Sequence, residues 1–146
     1  MDDKRHFSVA EANELIPTLE ARFGKVMQLR VQLRNGFEQL EGLGEAPDAD
    51  TLARADGPPE LRRARGRFRA LMEALGEELE AIEQIGVTIK DLDIGLCDFL
   101  GEREGRDVWL CWQYGEKQIN FWHDLDAGFS GRKPIDQRDR AEHLLH

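Results

Sequence analysis

The sequence predicts an α+β protein: a long antiparallel helical hairpin followed by a small antiparallel β-meander. Three observations carry that reading: two apolar seams at heptad spacing, an acidic stretch poor in apolar residues between them, and a change to β-type runs after Gly86. The chain reads as one domain over 1–146, with a first helix at 8–43, an acidic loop at 44–58, a second helix at 59–86, a meander at 87–128 and a tail at 129–146. At 146 residues it is long enough to bury a core without staples.

Ser8 opens the first helix as an N-cap, with Glu11 as its capping-box partner and Phe7 placed for a hydrophobic staple. The seam runs Ala12, Ile16, Leu19, Phe23, Val26, Leu33, Phe37 and Leu40, with a gap at Arg30. Pro17 removes a backbone donor inside the helix, and a kink is expected there. The stretch 44–58 holds little that could be buried, so it reads as a loop with at most one loose turn. The second helix begins near Pro58-Pro59, and its seam is Leu61, Phe68, Met72, Leu75, Leu79 and Ile82 once Arg65 is given a seam position. Gly86 is its natural stop. Arg30 and Arg65 could each hold an anion in the seam, but pairing with a neighbouring glutamate to fix register is the simpler role.

Beyond Gly86 the β-type runs are Val87 to Ile89, Gly95 to Leu100, Asp107 to Tyr114 and Gln118 to Asp124, separated by turns at GEREG (101–105) and Gly115-Glu116-Lys117. The run Val108-Trp109-Leu110-Cys111-Trp112 is apolar throughout, which predicts cover on both faces. The helices can cover one face. A second copy of the chain or the tail must cover the other, and a homodimer is the expectation. The tail from Phe129 to His146, with Gly131, Pro134 and many charges, is expected to pack loosely.

The formal net charge of −9 argues against general nucleic-acid binding, which needs a basic surface, and against adsorption to anionic membranes. No apolar stretch is long enough to span a bilayer, and the charged start lacks the apolar core of a secretory signal. Cys97 and Cys111 fall diagonally on neighbouring strands, so they read as buried free thiols in a reducing compartment, the cytoplasm by default.

Chemistry is sparse in this text. There is no P-loop, no G-x-G-x-x-G, no H-E-x-x-H and no zinc pair of cysteines. A ferritin-like centre would need histidines on the helices, and neither helix has one. The densest polar cluster surrounds Trp122-His123-Asp124-Leu125-Asp126. Symmetric pairing about the two turns sets Asp98 opposite Val108 and Val108 opposite His123. Asp98 and His123 then share one end of a face with Trp112, two strand spacings or roughly 10 Å apart, too far to touch. A ligand or a metal-bound water could span that gap, and Arg132 could hold an anionic group nearby. The candidate ligand-binding residues are therefore Asp98, Trp112, His123 and Arg132. The candidate metal ligands are His123, Asp124 and Asp126, for a divalent ion. Trp109, Trp112 and Trp122 form an aromatic set better suited to core or interface than to base stacking, since no basic residues interleave.

Several of these residues resemble a bacterial family known as domain of unknown function 2203. The resemblance begins with Phe7-Ser8-Val9-Ala10-Glu11-Ala12-Asn13 and Leu15-Ile16-Pro17. It continues through Lys90-Asp91-Leu92-Asp93, Gly95-Leu96, Asp98-Phe99, Leu110-Cys111-Trp112, Gly115-Glu116 and Phe121-Trp122-His123. It closes with Gly128-Phe129, Gly131-Arg132 and Pro134-Ile135. It implies no activity, cofactor or catalytic residue. Two functions follow from the residues themselves. The first is a non-enzymatic dimeric module binding a protein or small-molecule partner. The second is a metal-dependent or acid–base enzyme centred on His123 and nearby aspartates.

Overall fold

The computed structural model describes residues 5–136. Helix α1 spans Val9–Gly42, a short helix α2 spans Ala49–Ala53, and α3 spans Pro59–Ile85. Strands β1 (Val87–Asp91), β2 (Leu96–Arg103), β3 (Arg106–Gln113), β4 (Phe121–Asp124) and β5 (Lys133–Pro134) form one antiparallel sheet in chain order, with a 3₁₀ turn at Phe129–Gly131 before β5. The helical-hairpin and meander reading holds. Among the described residues, no helix is long and apolar enough to cross a membrane. The described chain falls into two compact units, one of residues up to Phe23 and from Ala81 onward, the other Gly24–Glu80.

In the first unit Ser8 caps α1 as its sequence implies: the Glu11 N–H donates to Ser8 Oγ at 3.0 Å, and the Ser8 N–H to Glu11 Oε1 at 2.9 Å. Helix α1 runs unbroken through Pro17, which faces solvent, so the expected kink does not interrupt it. Phe7 meets Phe99 edge-on at 5.0 Å and Phe23 lies 6.0 Å from Trp112, which buries the sheet face that carries Phe99, Val108, Leu110 and Trp112. Gly86, at φ +108, ends α3 in a conformation that other residues resist, and a Cβ there would stand 2.9 Å from the Phe7 ring.

Both strand registers differ from the symmetric pairing, for identifiable reasons. The β2–β3 hairpin turns on Glu104 and Gly105, both at positive φ, a two-residue turn whose twist suits the strands. Asp98 is therefore opposite Cys111, not Val108. Between β3 and β4 the Ile119 N–H donates to Asn13 Oδ1 at 2.6 Å, and β4 starts only at Phe121. His123 is consequently opposite Trp109 and Asp124 opposite Val108. The meander also extends past 128, because β5 pairs Pro134 with Phe121 and Lys133 with Trp122. That part of the tail is a sheet edge, not loose chain; residues 137–146 lie outside the described residues. Strand β3 is central and buried from Val108 to Trp112 within the single chain.

In the second unit Leu40, Leu52, Ala64 and Phe68 form a core, with Leu33, Leu43 and Leu61 packed against it. The seam is not a strict heptad. Gly36 is buried and admits the Phe68 ring to within 3.1 Å of where a Cβ would sit, while Phe37 turns outward at 39% exposure. Likewise Leu29, not Arg30, is buried, and Met72 is half exposed. The loop at 44–58 contains α2, closed by a capping box between Asp48 and Thr51. Arg65 is buried at 2% and fastens this loop. Its guanidinium donates two bonds to Glu45, at 2.7 and 3.0 Å, one to the Arg54 carbonyl at 3.1 Å and one to the Asp56 carbonyl. The glutamate-pairing role foreseen for Arg65 is the one it has.

Candidate functional site

Three adjacent strands each place one polar side chain on the sheet face opposite to Phe99 and Trp112. Asp98 comes from β2, Cys111 from β3 and His123 from β4. Side chains alternate along a strand, and Asp98 pairs with Cys111 while His123 pairs with Trp109, so all three share a face. They are 1%, 0% and 3% exposed. One carboxylate oxygen of Asp98, the Cys111 sulfur and one ring nitrogen of His123 lie within 4.8 Å of one another.

The sequence placed Asp98 and His123 on one face but out of reach; they meet at 2.9 Å, Oδ2 to Nε2. Both predicted registers were off by an odd number of residues, three for β2–β3 and one for β3–β4. Each odd shift exchanges the faces, so two of them restore the pair to one side. The contact itself depends on the residue between. Cys111 on the intervening strand is small, which leaves the two flanking side chains room to meet.

The imidazole is oriented from its other end. Nδ1–H donates to the Asp124 carbonyl at 2.9 Å, which points Nε2 into the cluster. Asp98 Oδ1 is buried and has no hydrogen-bond partner among the described residues. Burial pushes the Asp98 carboxyl above its ordinary range, partly offset by the neighbouring His123, by hydrogen bonding from the Cys111 thiol and from His123, and by the charge of Lys90. Burial also pushes the Cys111 thiol up to about 12. Cys97, on the opposite face against Trp112, is likewise a buried free thiol whose pKa burial raises.

The remaining predicted residues are placed as follows. Trp112 is on the other face and donates its indole N–H to the Glu116 carbonyl at 2.8 Å. Asp124 holds Arg106 at 3.3 Å and Lys133 at 3.4 Å, and Asp126 is exposed; neither joins His123 in the cluster. Arg132 stacks over Phe121, its guanidinium carbon 3.9 Å from the ring centre, and donates to Glu116 Oε2 at 2.9 Å; its Nε is buried without a partner among the described residues. Phe121 is opposite Cys111, so Arg132 borders the same face.

Sequence reasoning missed Cys111 as a site residue and Glu116 as the group that anchors Arg132 and also accepts the Gln113 N–H at 2.6 Å. The Glu104-Gly105 turn was the available signal for Cys111, since it fixes the β2–β3 register. A second group, His6, Glu102 and Asp107, lies on the surface, with His6 2.7 Å from Asp107.

A buried histidine and aspartate beside a thiol suggest two chemistries, a nucleophile with its base or a ligand set for a metal. The raised thiol speaks against the first, because only the thiolate attacks, whereas a coordinated metal ion deprotonates a thiol itself.

Fold and site together define an α+β protein whose meander sheet carries a buried aspartate–cysteine–histidine row. The chain belongs to the family described as "Uncharacterized conserved protein (DUF2203)", with the match spanning residues 5–135. No curated protein and no solved structure matches it.

Proposed function

We propose that this protein is a non-enzymatic, dimeric binding module that receives a small ligand on the polar face of its sheet, at Asp98, Cys111 and His123. The observation that carries this reading is Asp98 Oδ1, buried and without a partner among the described residues. A carboxylate kept only to hold His123 would have both oxygens satisfied, since an unmet buried acceptor costs about 1–3 kcal/mol. The buried Arg132 Nε on the same border adds a donor in the same condition. Dimerisation is supported by large apolar side chains facing outward from the hairpin unit, Val31 and Met72 about half exposed. The two free thiols suit a reducing compartment such as the cytoplasm.

A second reading, an acid–base or metal-dependent enzyme centred on His123, draws on the 2.9 Å contact with Asp98.

The test is thermal unfolding of Asp98→Asn beside the wild type, first with chelator present and then across a panel of divalent ions and small acids. Asp98→Asn should fold, melt higher than the ligand-free wild type and lose every ligand-induced shift. A variant that merely melts lower would make Asp98 a structural partner of His123 and sink the reading. Light scattering should give twice 16.7 kDa; a monomer would remove the dimer.

A further inference from the structure

We propose that Asp98, Cys111 and His123 are the ligands of one divalent transition-metal ion of the zinc or cobalt(II) type. This deepens the binding-module reading and rests on it, since it names the ligand that the polar face takes.

The donor set selects the class of ion. One thiolate, one imidazole and one carboxylate form a mixed sulfur, nitrogen and oxygen set, suited to borderline ions and unsuited to magnesium or calcium, which take oxygen. The geometry is already gathered: three donor atoms within 4.8 Å of one another, each on a different strand of one sheet. Ligands on three hydrogen-bonded strands are held more firmly than ligands on loops.

Two further observations point to a ligand. The Asp124 carbonyl takes the Nδ1–H of His123 and leaves Nε2 directed inward, as orienting partners do for metal-binding histidines. Asp98 Oδ1, on a side chain only 1% exposed, has no partner among the described residues. The charges also close. One carboxylate, one thiolate and a neutral imidazole balance a divalent cation, and Arg132 beside them is paired with Glu116. The surface group of His6, Glu102 and Asp107 is exposed and has none of these features beyond proximity.

Binding replaces the Asp98–His123 hydrogen bond with two metal bonds and adds a third from Cys111, and the proton shared by Asp98 and His123 and the Cys111 thiol proton leave to solvent. Three protein ligands leave a fourth tetrahedral position, which a water molecule or small anion can fill.

The test takes the full chain, purified without a histidine tag, stripped by chelator and titrated with cobalt(II) alone. Uptake should saturate at one ion per chain and bring up a near-ultraviolet thiolate-to-cobalt charge-transfer band with the visible bands of four-coordinate cobalt. Cys111→Ser should lose the charge-transfer band, and Asp98→Asn should weaken uptake by at least about tenfold to a hundredfold, the loss seen when mere orienting partners are removed. Circular dichroism of each variant separates lost ligation from lost folding. No stoichiometric uptake by folded wild type would overturn the proposal. So would uptake without the thiolate band that survives Asp98→Asn and vanishes in His6→Ala, which puts the ion on the surface group. If cobalt fails while Asp98→Asn still melts higher than wild type, this inference falls and the binding reading stands. If Asp98→Asn melts lower, the reading beneath it falls instead.

Discussion

Arg65 in the hairpin unit and Asp98 in the sheet unit are both charged residues buried to within 2% of full enclosure, yet their surroundings differ in kind. Every side of the Arg65 guanidinium has an acceptor: two bonds to Glu45 and the carbonyls of Arg54 and Asp56. Asp98 has His123 on Oδ2 and the Cys111 thiol beside its carboxylate, and Oδ1 has no hydrogen-bond partner among the described residues. A buried ion with all its hydrogen bonds met is a fastener, because removing it leaves its partners stranded. One with an open valence is, on the proposed reading, a group that a ligand completes. The comparison therefore separates structure from function by hydrogen-bond completeness, not by burial or charge.

The largest expected effect lies at the fastener. Arg65→Ala strands Glu45 and two loop carbonyls, and should cost about 3–5 kcal/mol in urea unfolding, the range for breaking one partner out of a buried pair. Replacing Arg65 by Met together with Glu45 by Leu should recover most of that loss, since nothing charged is then left unmatched. A single Arg65→Ala change that costs less than about 1 kcal/mol would mean the bonds to Glu45 and the loop contribute little, and the contrast with Asp98 would lose its basis.

Asp98 should respond in the opposite direction and with a smaller size. Its folded-state carboxyl is raised above the ordinary value, so the stability it contributes is present in full below that ordinary value. That stability is lost as pH rises through the raised one. With chelator present, Asp98→Asn removes the loss, and its advantage over wild type should grow from acid toward neutral pH and then level. That advantage measures the buried charge alone, because the asparagine amide still leaves one polar atom in the Oδ1 position. Equal pH profiles for the two proteins would place the Asp98 carboxylate in a satisfied environment.

The hairpin-and-meander order was legible because heptad spacing, the glycine stop at Gly86 and β-type runs are all local signals. The site was half legible. His123 and Asp98 stood out as polar residues among apolar strands, but their meeting depends on two registers. One is set by the Glu104-Gly105 turn, a local feature that can be read. The other is set where Asn13, near the start of α1, takes the Ile119 N–H, and no local pattern announces a bond across 106 positions. Cys111 was hidden for a different reason. A cysteine inside an apolar run looks like core, and its place between Asp98 and His123 appears only when three strands are aligned.

The seam of α1 offers the smallest and most pointed test. Heptad counting selects Phe37 as a buried position, and mass alone would favour it over its glycine neighbour. The structure prefers Gly36 because an absent side chain lets Phe68 approach α1 closely, which leaves Phe37 39% exposed. Phe37→Gln should therefore change the unfolding free energy by less than about 0.5 kcal/mol, the usual range for surface positions. Phe68→Ala, which empties the space Gly36 creates, should cost several-fold more, about 3 kcal/mol or above. Both can be read from the same set of denaturation curves. A large loss for Phe37→Gln at a protein concentration where the chain is monomeric would return Phe37 to the core. A loss that grows with protein concentration carries a different meaning: Phe37 is then covered by a second copy, and the outward-facing side of the hairpin is where the two chains meet.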